Sequence, residues 1–174
     1  PAHRLAYNEP METPLDPFDR KILEFVQRDC HVNTEVIAEA VGLSASAVQR
    51  RLRRLRAEKI IVAEVAVLDP HRLGQRMQFV VGVELKDNYE ALARIRSWVQ
   101  KEPEVQQLFY VTGAVDLVMV ILSKSVKDYD ALSARLMAEV PQVIRMTTNV
   151  VIDLMKQDLY VPVDEAGADG ATKA

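Results

Sequence analysis

Residues 41–59 read VGLSASAVQRRLRRLRAEK, and the helical phase of this stretch decides the organisation of the N-terminal part. Val41-Gly42-Leu43-Ser44 is a tight turn, in which Gly42 stops one helix and Ser44 can cap the next. At about 100° per residue, Val48, Leu52 and Leu55 share one face. Arg50 and Arg54 fall opposite them, with Ser46, Ala47 and Arg53 flanking that outer side. One face can pack on a core while the other offers a polar, cationic comb to an anion. Arg50, Arg51, Arg53, Arg54 and Arg56 crowd this stretch in a chain whose net charge is −3. Such a concentration points to a polyanionic partner, and double-stranded DNA is the first candidate.

Upstream, Asp16-Pro17 is a helix start, with Asp16 as cap, Pro17 at the first helical position and Asp19 in the favourable first turn. Phe18, Ile22, Leu23 and Val26 give this first helix an apolar stripe. Asn33 can cap a second helix running through Ile37, Ala38 and Val41 to Gly42. Two helices around VGLS, the second basic on its outside, form a helix-turn-helix pattern.

Downstream, IIVAEVAVLD is rich in β-branched residues and reads as a strand of about six residues, ended by Pro70 and a turn at Gly74. From Gln78 the order is strand (FVVGVEL), helix (NYEALARIRSWVQ), then strands QQLFYV and VDLVMVIL joined by a hairpin at Thr112-Gly113-Ala114. A second helix, SVKDYDALSARLMAEV, follows; Ser125 and Asp128 form an acidic variant of the capping box, and Tyr129, Leu132, Leu136 and Val140 its inner stripe. The last strand is VIRMTTNVVIDLM. This β-α-β-β-α-β order is that of a ferredoxin-like sandwich. The matching helix exits Glu102-Pro103-Glu104-Val105 and Val140-Pro141-Gln142-Val143 support two related halves.

The predicted class is therefore α+β. Residues 1–14 are an N-terminal extension, 15–63 a helix-turn-helix domain, 64–77 a hinge strand and linker, 78–163 the ferredoxin-like domain, and 164–174 a small, polar tail expected to be disordered. Charge divides along the same line: residues 15–63 carry nine Lys/Arg against seven Asp/Glu, and residues 64–174 twelve against sixteen. A mildly basic part joined to an acidic one argues for a division of labour. No apolar run approaches a membrane span and no signal peptide is read, so the expected compartment is the cytoplasm. Cys30 is the sole cysteine, and His3, His31 and His71 are scattered without metal-ligand spacing, so neither a metal nor another cofactor is expected.

The segments LDPFDRKILEFVQRD, VIAEAVGLSASAVQRRLRRLRAEKII, LDPHRLG and VTGAVD, in this order and spacing, resemble the Lrp/AsnC transcriptional regulators from about Leu15 to Pro162. The resemblance implies a winged helix-turn-helix domain, a hinge strand, and a C-terminal domain that dimerises and senses an effector, commonly an amino acid. It also implies homodimers that assemble into tetramers, octamers or larger rings, with effectors bound around a Gly-x-x-Asp loop, here Gly113 to Asp116. Where the family often carries an acidic and an aromatic residue inside that loop, this chain has Ala114 and Val115.

Two sets of candidate residues follow. For DNA, Ser44 and Ser46 can hold a phosphate at a helix N-terminus, and Gln49 and Arg50 can reach base edges. Arg51, Arg53 and Arg54 are placed on phosphates. For the effector, Gly113 permits a positive φ, Thr112 offers a hydroxyl and Asp116 a carboxylate for an ammonium group. Thr148 is expected to contribute from a neighbouring position or subunit. The simpler role for Gly113 and Asp116 is to serve the turn and cap backbone amides. The expectation is a DNA-binding regulator, not an enzyme. Its rivals are a sirohaem-decarboxylase-like enzyme of this architecture, disfavoured because residues 75–163 contain no histidine, and an effector-independent DNA-architectural protein.

Overall fold

The computed structural model describes residues 14–75, 77–86 and 88–163, apart from the side chains of Asn88 and Tyr89. All of the N-terminal extension but Pro14, and the tail from residue 164, lie outside the described residues, as does His3. The chain sorts into two compact units, one comprising the described residues up to Ala66 together with those from Gln157 onward, the other Val67–Lys156.

Three helices build the first unit: α1 (Pro17–Val26), α2 (Thr34–Val41) and α3 (Ala45–Ala57). Their ends sit where the caps demand. The Asp16 carboxylate accepts the Asp19 amide at 2.8 Å and Asp19 returns the contact at 3.2 Å, a reciprocal capping box. Asn33 caps α2, Gly42 ends it in the left-handed region at φ 73°, and Ser44 caps α3 through the Ala47 amide. Helix α3 ends without a glycine: Lys59 adopts φ 59°, while the Ile60 amide bonds the Leu55 carbonyl and the Lys59 amide bonds that of Arg56. Ile22, Ile37, Val48 and Leu55 are wholly buried and pin the three helices together. Each such side chain contributes about 1.5–3 kcal/mol by leaving water.

The second unit is a four-stranded antiparallel sheet of β1 (Met77–Leu85), β2 (Val105–Tyr110), β3 (Leu117–Ser123) and β4 (Val143–Val150), in the order β2-β3-β1-β4. Helices α4 (Asn88–Val99) and α5 (Val126–Glu139) complete the βαββαβ sandwich. Alternation along the strands sends Phe79, Val81, Val83, Leu117, Met119 and Ile121 into the core shared with Ile95, Trp98, Leu132 and Leu136. Tyr129 of α5 stacks on Phe79 with ring centroids 4.1 Å apart. At α5 the expected capping box is only half made. Ser125 accepts the Asp128 amide, but the Asp128 carboxylate takes the Ser125 hydroxyl rather than its backbone amide.

Three boundaries differ from the sequence reading. The strand of about six residues expected within 60–69 is not formed: residues 62–69 pair with no strand among the described residues, since β propensity gives a ladder only where a partner strand exists. The turn after them is as expected: the Gln75 amide closes on the Pro70 carbonyl at 2.9 Å, with Gly74 at φ 80°. Strand β4 ends at Val150, short of the expected Met155; past it, the Val151 amide bonds the Gln78 carbonyl at 2.8 Å, one residue from the start of β1 at Met77. Finally, Gln157–Val163 belong with the helices rather than with the sheet. The side-chain amide of Gln27 donates to the Val161 carbonyl and accepts its amide, both at 3.0 Å, and Arg28 lies 5.5 Å over the Tyr160 ring.

Candidate DNA interface and effector loop

On α3 the residues at 46, 49, 50 and 53 are exposed, while Val48, Leu52 and Leu55 are buried. Ser46, Gln49, Arg50 and Arg53 thus form one outward stripe, at the i, i+3, i+4, i+7 spacing of a helix face. The capping Ser44 lies at its head, with its hydroxyl 3.1 Å from that of Ser46. Arg50 and Arg53 have no ion-pair partner among the described residues.

The other arginines are committed inside the unit. Arg51 donates to the carboxylates of Asp16 at 2.6 Å and Asp19 at 2.8 Å, and Arg54 bonds the second Asp19 oxygen. The Asp19 side chain is 1% exposed, against 21% for Arg51 and 36% for Arg54. Burial pushes the Asp16 carboxyl up, but the Asp19 amide and the Arg51 guanidinium outweigh it and hold it below the ordinary carboxylate value. The hydrogen bond to Asp19 raises Arg51 further, against a smaller opposing effect of burial. Arg51 and Arg54, expected on phosphates, are therefore the ties between α3 and the start of α1. A helical wheel gave Arg54 its angle from the core but not the neighbour on its flank. Arg56 is held by Glu64 through Nη2 at 2.6 Å and Nε at 3.2 Å.

In the sheet unit, the β2–β3 connection carries Thr112, Gly113 and Ala114 exposed, with Gly113 at φ 136°. Asp116 is built into the strand ends: its amide bonds the Val83 carbonyl at 2.9 Å and its carboxylate accepts the Leu85 amide at 2.7 Å, where the β1–β4 register shifts. That is the amide-capping role. Val115 lies on the helix-free face against Gly82, whose missing Cβ would sit 2.9 Å from a Val115 methyl. Glu84, Arg145, Thr147 and Asn149 line a shallow cleft of about 460 Å³ beside Ala114 and Val115. Thr148 is not brought to this loop within the chain. It pairs across from Val81, on the side of the sheet facing the helices, and its hydroxyl meets Tyr129 Oη at 2.5 Å.

Among the described residues no helix is long and apolar enough to cross a membrane, and no three His, Cys, Asp or Glu side chains could hold a metal. Cys30 is half-buried just past α1.

Residues 15–56 match the AsnC-type helix-turn-helix domain and residues 78–161 the Lrp/AsnC ligand binding domain. The chain is 30% identical over 151 residues to the DNA-binding transcriptional activator DecR of Escherichia coli, covering 86% of this chain and 99% of that protein. An AsnC-family regulator from Agrobacterium tumefaciens superposes with a TM-score of 0.79 at 26% identity, over 86% of this chain and 97% of that one. The fold is shared with the regulator NMB0573 of Neisseria meningitidis, solved as a complex with L-Met, with a TM-score of 0.80 at 24% identity over 87% and 98% of the two chains. With a DNA-binding helix-turn-helix and a ligand-binding βαββαβ unit matched in order, the chain belongs to the Lrp/AsnC family of transcriptional regulators.

Proposed function

We propose that α3 is the recognition helix of a sequence-specific regulator, carried by its outward stripe of Ser46, Gln49, Arg50 and Arg53. Arg50 and Gln49 reach base edges, and Arg paired with guanine would give about 1–3 kcal/mol of discrimination. Arg53, with Ser44 and Ser46 at the helix start, grips phosphates. Arg51 and Arg54 act at one remove, fixing the angle of α3 on α1. The observation that carries this reading is that, of the five arginines, Arg50 and Arg53 face outward with no acid against them among the described residues.

The sheet unit senses a small molecule, in our reading an amino acid, at the Thr112–Asp116 loop. Exposed Thr112 and the open backbone at Gly113 suit a polar ligand, and Asp116 fixes the loop to β1 while presenting negative charge there. Thr148 would join only from a second copy. The working form is a homodimer that assembles further, to tetramer or octamer, in the cytoplasm, and its role is regulatory rather than enzymatic. Dimers with two-fold symmetry prefer palindromic half-sites about 34–36 Å apart or multiples of it.

Selection of binding sites from random duplexes by the purified full chain, with and without each common amino acid, tests this reading. A palindromic motif whose recovery shifts with at least one amino acid is expected. Recovery of unrelated sequences with no response to any of them would instead favour a DNA-coating protein without an effector.

A further inference from the structure

A cleft of about 270 Å³ opens between the end of α1, the first residue of α2 and the flank of α3. Val26, Val32 and Leu52 are its apolar lining, and its polar residues are Thr34, Gln49, Arg53 and Arg56, with Cys30 beside them. No carboxylate lines it. The nearby acids are engaged elsewhere: Glu35 accepts the Asn33 side-chain amide at 2.7 Å, Asp29 accepts the His31 amide at 2.9 Å, and Glu64 holds Arg56. Glu64 does so through Nε and Nη2 alone, so the Nη1 amino group of Arg56 takes no part in that pair.

We infer that this cleft seats one sugar-phosphate unit of the DNA backbone, taken by Thr34, Arg53 and Arg56. The inference rests on α3 being the recognition helix. Gln49 and Arg53 belong both to the outward stripe and to the cleft, so the two surfaces are continuous and a duplex read by the stripe runs its backbone past the cleft mouth. The phosphate meets two guanidiniums and a hydroxyl, while the carbon face of the deoxyribose lies on Val32 and Leu52. Such a contact carries no base information and fixes register. Arg56 and Thr34 therefore add affinity on every sequence, and Glu64 orients Arg56 for the task.

Titration of the full chain with a mixed-sequence duplex over a range of salt concentrations tests the cleft, and Cys30, the only cysteine, serves as a built-in reporter. Arg56→Ala is expected to weaken binding on all sequences alike and to flatten the log K against log salt plot by about one unit. Arg56→Lys keeps the slope. Thr34→Val weakens binding severalfold with no change of slope, since it removes no charge. Saturating duplex protects Cys30 from alkylation by iodoacetamide. An unchanged slope in Arg56→Ala, or Cys30 labelled at the same rate in the saturated complex, overturns the cleft. Arg50→Ala, titrated on the selected site, and Arg53→Ala, titrated on the mixed-sequence duplex, separate the two failures. If they weaken binding while Arg56→Ala does not, only the cleft is lost; if none of the three matters, the recognition-helix reading falls with it.

Discussion

Arg50 and Arg53 stand one helical turn apart on the same exposed face, yet the reading gives them different tasks, and substitution separates them. Arg50→Ala is expected to lower affinity for the selected site by about 1–3 kcal/mol while leaving scrambled duplex nearly untouched. Arg53→Ala should weaken both alike and flatten the salt dependence by about one unit. Equal, sequence-blind losses from the two would sink the division. Asp19 makes a stability prediction. Its buried carboxylate holds two guanidiniums, so Asp19→Asn leaves them short of charge and is expected to cost about 3 kcal/mol in urea unfolding, the low end for breaking a buried pair because Arg51 keeps Asp16. Asp16, held below the ordinary carboxylate value, supplies stability that is complete above an unfolded value of about 3.9. That contribution declines as pH falls below this point and vanishes below the lowered folded value. Asp16→Asn should remove this part of the acid sensitivity, measured as the difference between wild-type and variant unfolding midpoints at about pH 5 and pH 3. An unaltered difference would mean that the carboxylate contributes nothing in this window.

At the scale of elements, the caps were legible because each acts on its own turn. Asp16, Asn33, Gly42 and Ser44 announce helix ends through local chemistry, and the helices start and stop where these residues stand. What stayed hidden depends on neighbours that no local pattern names. Asp19 looked like a first-turn acid, and only the packing of α1 beside α3 turns it into the anchor of Arg51 and Arg54. The outward position of Ser46, Gln49 and Arg50 was legible for the opposite reason: it follows from helical phase alone, and all three are exposed. Residues 62–69 carry strand-forming side chains, but a ladder belongs to a pair of strands and not to one. The contact of Gly82 with Val115 is of the same kind, a long-range fit between β1 and the β2–β3 connection. Gly82→Ala puts a methyl against the stiff valine and is expected to cost about 1–3 kcal/mol. Val115→Ala in the same chain should recover most of that loss. Thermal melts of the single and double variants would check this, and a double variant no better than Gly82→Ala would place the strain elsewhere.

At the scale of the whole molecule, the described chain leaves the helical unit at Ala66 and re-enters it at Gln157. The returning segment is tied by the Gln27–Val161 amide pair and by Arg28 over Tyr160. Two exposed hydrogen bonds and one cation–π contact are together worth about 1–2 kcal/mol. A chain ending at Lys156 should therefore lose about that much stability in urea unfolding, seen as a lower midpoint for its helices, and Gln27→Ala should lose part of it. No change in either would show that the contacts add nothing in solution. Neither Gln27 nor Val161 signals the other in sequence, since 134 positions separate them. Along the chain, the sheet unit is thus an insert within the helical one. A chimera that grafts another regulator's sensor onto this DNA-reading module needs two seams, one near residue 66 and one near 156, because a single splice after the recognition helix would carry away part of the module it meant to keep.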